Sequence, residues 1–187
     1  MNKKKYVAAI VTLFKEEGLS LSMDAIAERI GVTKKTLYNR FSSREGLIDC
    51  CIDAMNEELR ENISCLADEN VPAPEGFSRG ITGLKDTMYG ITHVFMRDLM
   101  SVYPQKAASD HAVGSALFED MLRQNIERGK AAGIYRQSID AGLFSKYISY
   151  SIFSFFFKNI MRGGAWSSDS YFRQVIDFNI NALIDKQ

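Results

Sequence analysis

The stretch GVTKKTLYNRFSSREGL, residues 31–47, spells a tight turn, a short helix and the start of the next helix. Gly31 permits the turn, and Thr33 can cap the short helix by accepting a hydrogen bond from a backbone N–H two or three residues on. Leu37 and Phe41, four apart, fall on one face and join Val32 as apolar anchors. Lys34, Lys35, Thr36, Tyr38, Asn39 and Arg40 are left facing outward. They offer cations for phosphates, hydroxyls and an amide for phosphates or base edges, and an amphipathic phenol.

The residues just before complete a unit. Ser22 sits at an N-cap position, Asp24 lies in the first turn where the helix dipole favours an anion, and Met23, Ile26, Ala27 and Ile30 make an apolar stripe. Two short helices joined by a Gly-containing turn, the second cationic, form the helix-turn-helix signature, whose second helix enters the DNA major groove. Taken alone, the pattern also fits an ordinary helical hairpin with a solvated polar face.

Residues 7–47 resemble the DNA-binding domain of the TetR family of bacterial transcriptional regulators. Ala8, Ala9, Leu13, Phe14 and Gly18 match its first helix and stop, and Ser22, Ile26 and Ala27 match the second. Gly31, Val32, Thr33, Lys34, Thr36, Leu37, Tyr38 and Phe41 match the turn and third helix, and Glu45 and Leu47 open the fourth. Lys35 stands where the family often has a small residue or Pro, and Arg44 replaces the usual Lys. The resemblance implies a homodimer that binds a double-stranded operator and answers to a small-molecule effector held in the C-terminal part. The expected phosphate clamps are Ser22, Thr33, Lys34, Tyr38 and Arg44; Lys35, Thr36 and Asn39 are the expected base readers, with Arg40 open between the two roles.

Net charge is zero, with 23 basic and 23 acidic residues, which by itself argues against a nucleic-acid partner. Its distribution argues for one. Residues 1–46 hold nine Lys and Arg against five Asp and Glu, and phosphate attraction is local. Cys50, Cys51 and Cys65 form an odd set with no export signal, which suits a reducing cytoplasm and free thiols. His93 and His111 lie in no cluster with metal-ligand spacing, so neither metal nor cofactor is expected. The most apolar run, residues 147–157, contains serines and is flanked by Lys146 and Lys158, so no membrane span is expected. No Gly-rich phosphate loop or nucleophile motif suggests an enzyme. An interaction module with a defunct helix-turn-helix should have lost its cations and hydroxyls, and this chain keeps them. Repression and activation both fit, repression being the favoured reading.

Helical periodicity runs through the rest, so the predicted fold is all-α with about nine helices. A three-helix head, residues 1–46, precedes a body, residues 47–187, for effector binding and dimerisation. The segment 68–76, DENVPAPEG, reads as a linker. Residues 77–103 read as one helix with two apolar stripes. Two stripes fit a helix central to a bundle, or one whose second face lines a cavity; the resemblance to the TetR family implies the cavity, with Met88, Tyr89, Thr92, His93, Met96 and Met100, and Phe118, Met121 and Tyr147 from later helices, as its lining. Helices are predicted over 112–132, 141–162 and 169–185, with Gly133 and the Gly163–Gly164 pair as stops and Ser138 or Asp140 as a cap. The last two carry more apolar surface than one chain can cover. Phe153, Phe156, Phe157, Ile160, Phe172, Val175, Ile176, Asn179 and Leu183 are the predicted dimer contacts.

Overall fold

The computed structural model describes residues 3–107, 114–162 and 169–184. Among them there are ten α-helices and no β-strand, only an isolated antiparallel bridge between Tyr135 and Ile184. His111 and the predicted stop at Gly163–Gly164 lie outside the described residues. The helices form two compact units. One comprises Met1–Glu58 with Gly90–Val113, the other Leu59–Tyr89 with Gly114–Gln187.

The first unit holds α1 (Lys3–Glu17), α2 (Met23–Arg29), α3 (Lys34–Phe41), the first part of α4 (Arg44–Ile63), α6 (His93–Val102) and the short α7 (Pro104–Ala107). Their apolar stripes supply a core including Ile10, Phe14, Leu19, Ile26, Leu37, Leu47, Ile48 and Leu99, none more than 1% exposed. Helix α6 packs on α1.

The second unit holds the end of α4, a 3-10 turn (Ser64–Leu66), α5 (Ala73–Met88), α8 (Ser115–Ala131), α9 (Ala141–Met161) and α10 (Asp169–Leu183). Helix α8 packs on α9, and α5 packs on the 3-10 turn, α8 and α10. Gly76, Gly80 and Gly83 give α5 a bare edge; a Cβ at Gly76 would stand 2.6 Å from the Cys65 carbonyl oxygen. Asp140 caps α9 by accepting from the Leu143 N–H at 2.8 Å, and Gly133 comes after α8 at φ +69°, both as predicted.

Two expectations are corrected. Residues 77–103 are two helices in different units, because Gly90 adopts φ +88° and Thr92 caps α6, accepting from the Phe95 N–H at 3.3 Å. The two-striped single helix therefore does not exist. The segment 68–76 is no linker: Asn125 donates to the Ala73 carbonyl at 3.0 Å and Arg128 to the Val71 carbonyl at 2.8 Å, and α5 begins at Ala73 with Pro in its first turn. The first compact unit runs past residue 46 and takes in α6, which packs beside α1.

Candidate nucleic-acid interface

Local chemistry sets the turn between α2 and α3. The Ser22 hydroxyl accepts from the Ala25 N–H at 3.1 Å, and the Thr33 hydroxyl from the Thr36 N–H at 3.2 Å. Gly31 takes φ +71°, and the Val32 N–H returns to the Ala27 carbonyl at 2.9 Å. Helix α3 is held from behind by Leu37 and Phe41, which are buried. The Lys3 ammonium lies 5.6 Å above the Phe41 ring.

The front of α3 is open. Lys34, Lys35, Tyr38, Asn39 and Arg40 are exposed, and Thr36 is half-buried. Among the described residues, Lys35, Tyr38, Asn39 and Arg40 make no side-chain hydrogen bond or ion pair, so their donors remain uncommitted. Lys34 pairs with Asp24 at 2.7 Å, and the hydrogen bond to that carboxylate holds its ammonium above the ordinary lysine range. The Thr33 and Thr36 hydroxyls lie 2.9 Å apart.

Arg44 differs from the expectation. One of its guanidinium N–H groups donates to the Leu21 carbonyl at 3.0 Å and another to the Leu19 carbonyl. Those carbonyls belong to the turn between α1 and α2, outside any helix, so two of the five donors tie that turn to the start of α4. This arginine is a brace as well as a surface cation.

A second brace was invisible in the sequence. Asp98 of α6 is 2% exposed; it accepts from the Ser20 N–H at 2.9 Å and from Arg97 at 2.9 and 3.2 Å. Burial drives its carboxyl pKa up, yet the Ser20 and Arg97 hydrogen bonds outweigh it and hold the pKa below the usual carboxylate range. Gly18 makes room for it: a Cβ there would sit 2.6 Å from an Asp98 carboxylate oxygen. Thr92 donates to the Lys15 carbonyl at 2.7 Å, so α6 is bonded to the head at both the end of α1 and the adjoining turn. Ser22, Asp24, Lys34, Tyr38 and Arg44 share the walls of an open cleft of about 490 Å³ with Val102 and Tyr103.

The residues expected to line an effector cavity fall in both units. Met88, Tyr89, Phe118, Met121 and Tyr147 belong to the second unit and Thr92, His93, Met96 and Met100 to the first. Met88, Met96 and Phe118 are buried, whereas Tyr89 is 71% exposed and His93, Met100 and Tyr147 are also exposed. Their common spacing came from a helix that is in fact broken at Gly90.

The expected dimer contacts differ in their exposure within the chain. Phe156, Ile160, Phe172, Val175, Asn179 and Leu183 are buried within the chain itself, and Phe153, Phe157 and Ile176 are half-buried. The exposed apolar side chains of α9 and α10 are Leu143, Tyr147, Tyr150, Met161 and Phe178.

Reactive cysteine chemistry finds no support in the geometry. All three cysteines are free, and burial, with Cys50 beside it, pushes the Cys51 thiol up to about 12. Among the described residues there is no cluster of metal-ligating side chains and no helix long and apolar enough to cross a membrane.

A capped two-helix unit with an uncommitted cationic front defines a helix-turn-helix DNA-binding domain. Residues 7–50 match the family described as bacterial regulatory proteins, tetR family. The helix-turn-helix segment is thus of the TetR family, and the chain as a whole has the fold of that family's solved structures. A TetR transcriptional regulator from Chloroflexus aurantiacus superposes with a TM-score of 0.75 at 15% identity, over 98% of this chain and 96% of that one. One from Streptomyces coelicolor is similar at a TM-score of 0.65 and 22% identity over 100% of both chains. SmeT, the repressor of a Stenotrophomonas maltophilia multidrug efflux pump, is similar at 0.73 and 10% identity, over 100% of this chain and 92% of its own. In sequence, the uncharacterised HTH-type transcriptional regulator YvaF of Bacillus subtilis is 29% identical over 58 residues; the match spans 31% of this chain and 30% of YvaF.

Proposed function

We propose that this chain is a cytoplasmic, homodimeric transcriptional regulator rather than an enzyme, and that it represses from a pseudo-palindromic operator until a small-molecule effector releases it. The observation that carries the reading is the front of α3, where Lys35, Tyr38, Asn39 and Arg40 are exposed and have no side-chain partner among the described residues, while Leu37 and Phe41 anchor the back. Cations and hydroxyls kept free on a rigid helix suit phosphates and base edges. Residues 1–46 are the proposed DNA-binding part and residues 47–187 the proposed effector and dimerisation part.

Ser22, Thr33, Lys34 and Tyr38 are assigned to phosphates, with Arg44 contributing through its remaining donors. Lys35, Thr36 and Asn39 are assigned to bases, and Arg40 to either. Two copies of α3 would read half-sites about one turn of DNA apart. Repression has a precedent in SmeT, whose whole-chain fold is similar. An effector acts only to the extent that it binds the DNA-free arrangement more tightly. The tyrosines and methionines of the body favour a largely apolar effector with few polar handles.

The test uses the full chain and duplexes tiling the DNA that flanks its gene. One fragment should bind with two protected half-sites and two chains per duplex. Lys34→Ala should weaken all sequences alike and flatten the salt dependence by about one unit, whereas Asn39→Ala should change which fragment is preferred. A monomer that ignores every fragment in dilute salt would overturn the proposal.

A further inference from the structure

The cleft beside the phosphate-facing residues has a wall that does not belong to the helix-turn-helix. Ser22, Lys34 and Tyr38 come from α2, α3 and their caps, but Val102 and Tyr103 come from the end of α6 and the turn into α7. We infer that the DNA-contacting surface extends onto this α6–α7 turn, with the Tyr103 phenol donating to a backbone phosphate and Val102 lying against the adjoining deoxyribose. The inference rests on the DNA-binding reading of the head and adds to it a contact from outside the helix-turn-helix.

Three observations point to that occupant. The cleft's one acid, Asp24, pairs with Lys34 at 2.7 Å, which leaves the Arg44 cation and the hydroxyls of Ser20, Ser22, Tyr38 and Tyr103 to set its character. A surface of this kind attracts phosphate oxygens. The same wall carries Val102, which is 50% exposed, and a duplex backbone alternates anionic phosphates with apolar sugar faces. Finally, Tyr103 is held in place. Its backbone N–H bonds to the Leu99 carbonyl at 3.2 Å, and α6 is tied to the head through Asp98 to Ser20 and Thr92 to Lys15. Among the described residues its phenol has no hydrogen-bond partner, so a donor stands ready beside the clamp.

Because phosphate contacts carry no sequence information, an arbitrary 30-base-pair duplex at low salt serves as the probe. A photoreactive phenylalanine analogue is placed in the full chain at position 103, at position 38, and at position 150 of α9 as a control. Cross-links to the duplex from 38 and 103 but not from 150 are expected. In parallel, Tyr103→Phe keeps the ring and removes the donor; it should lower affinity about threefold to tenfold and leave the salt slope unchanged, since no cation is lost. Tyr103→Ala should lower it further.

A cross-link from 38 without one from 103 would overturn the inference while leaving the helix-turn-helix reading intact, as would a Tyr103→Phe variant binding within twofold of the parent. Absence of cross-links from both positions would overturn the two readings together.

Discussion

Asp98 illustrates how much one residue decides. A carboxylate that is 2% exposed survives only because the Ser20 N–H and the Arg97 guanidinium satisfy it, and Gly18 alone leaves room for it. Its folded pKa lies below the ordinary value of 3.8, so its stabilising contribution is complete above about pH 4. That contribution fades as pH falls through the lower folded value. Asp98→Asn should therefore cost about 1–3 kcal/mol near pH 7 and flatten the acid limb of the stability curve. Denaturant midpoints measured from pH 2 to pH 7 would show this, and a variant with the parent's acid dependence would assign that limb to other carboxylates. Nothing local in the sequence marks Asp98, because Ser20, the partner that ties it to the head, lies 78 residues away. Ser22, Thr33 and Asp140 were legible, since a cap bonds within three residues of itself.

At the scale of elements, helix existence and most boundaries derive from periodicity, as in α3, α8 and α9. The failure lies at residues 89–92. The run Tyr-Gly-Ile-Thr carries a stop glycine and a capping threonine, yet apolar residues continue at helical spacing on both sides. Periodicity cannot distinguish one helix from two that share a phase. Thr92 is the test of this junction: its hydroxyl both accepts from Phe95 and donates to the Lys15 carbonyl. Thr92→Ala should cost about 1–2 kcal/mol of stability by chemical denaturation with little loss of helical circular dichroism. A large loss of helix would mean that this cap sustains more than α6.

For the whole molecule, the proposed homodimer turns on which face of α9 is left exposed. Residues 145, 148, 152, 156 and 160 are buried, while Leu143, Tyr147, Tyr150 and Met161 fall roughly opposite at about 100° per residue. Phe178 is the exposed apolar counterpart on α10. In the proposed two-fold bundle these exposed side chains would form the seam. Leu143→Glu with Phe178→Glu should give folded monomers by sedimentation and lose binding to the two-half-site fragment. Phe172→Ala, which hollows the chain's own core, should instead cost about 3–5 kcal/mol of stability. Charged variants that remain dimeric would move the interface elsewhere.

What residues 7–50 dictate by themselves is short-range: the caps and the turn glycine shape the reading helix, because those bonds close within a few residues. The chain's all-helical character is likewise local in origin. Tertiary structure decided the assignments that depend on distant partners: Arg44 bonded to the turn between α1 and α2, α6 returned to the head, and the α9 stripe given to the core. Two stripes of equal hydrophobicity look alike in a one-dimensional pattern. Only packing against another helix determines which one is removed from water.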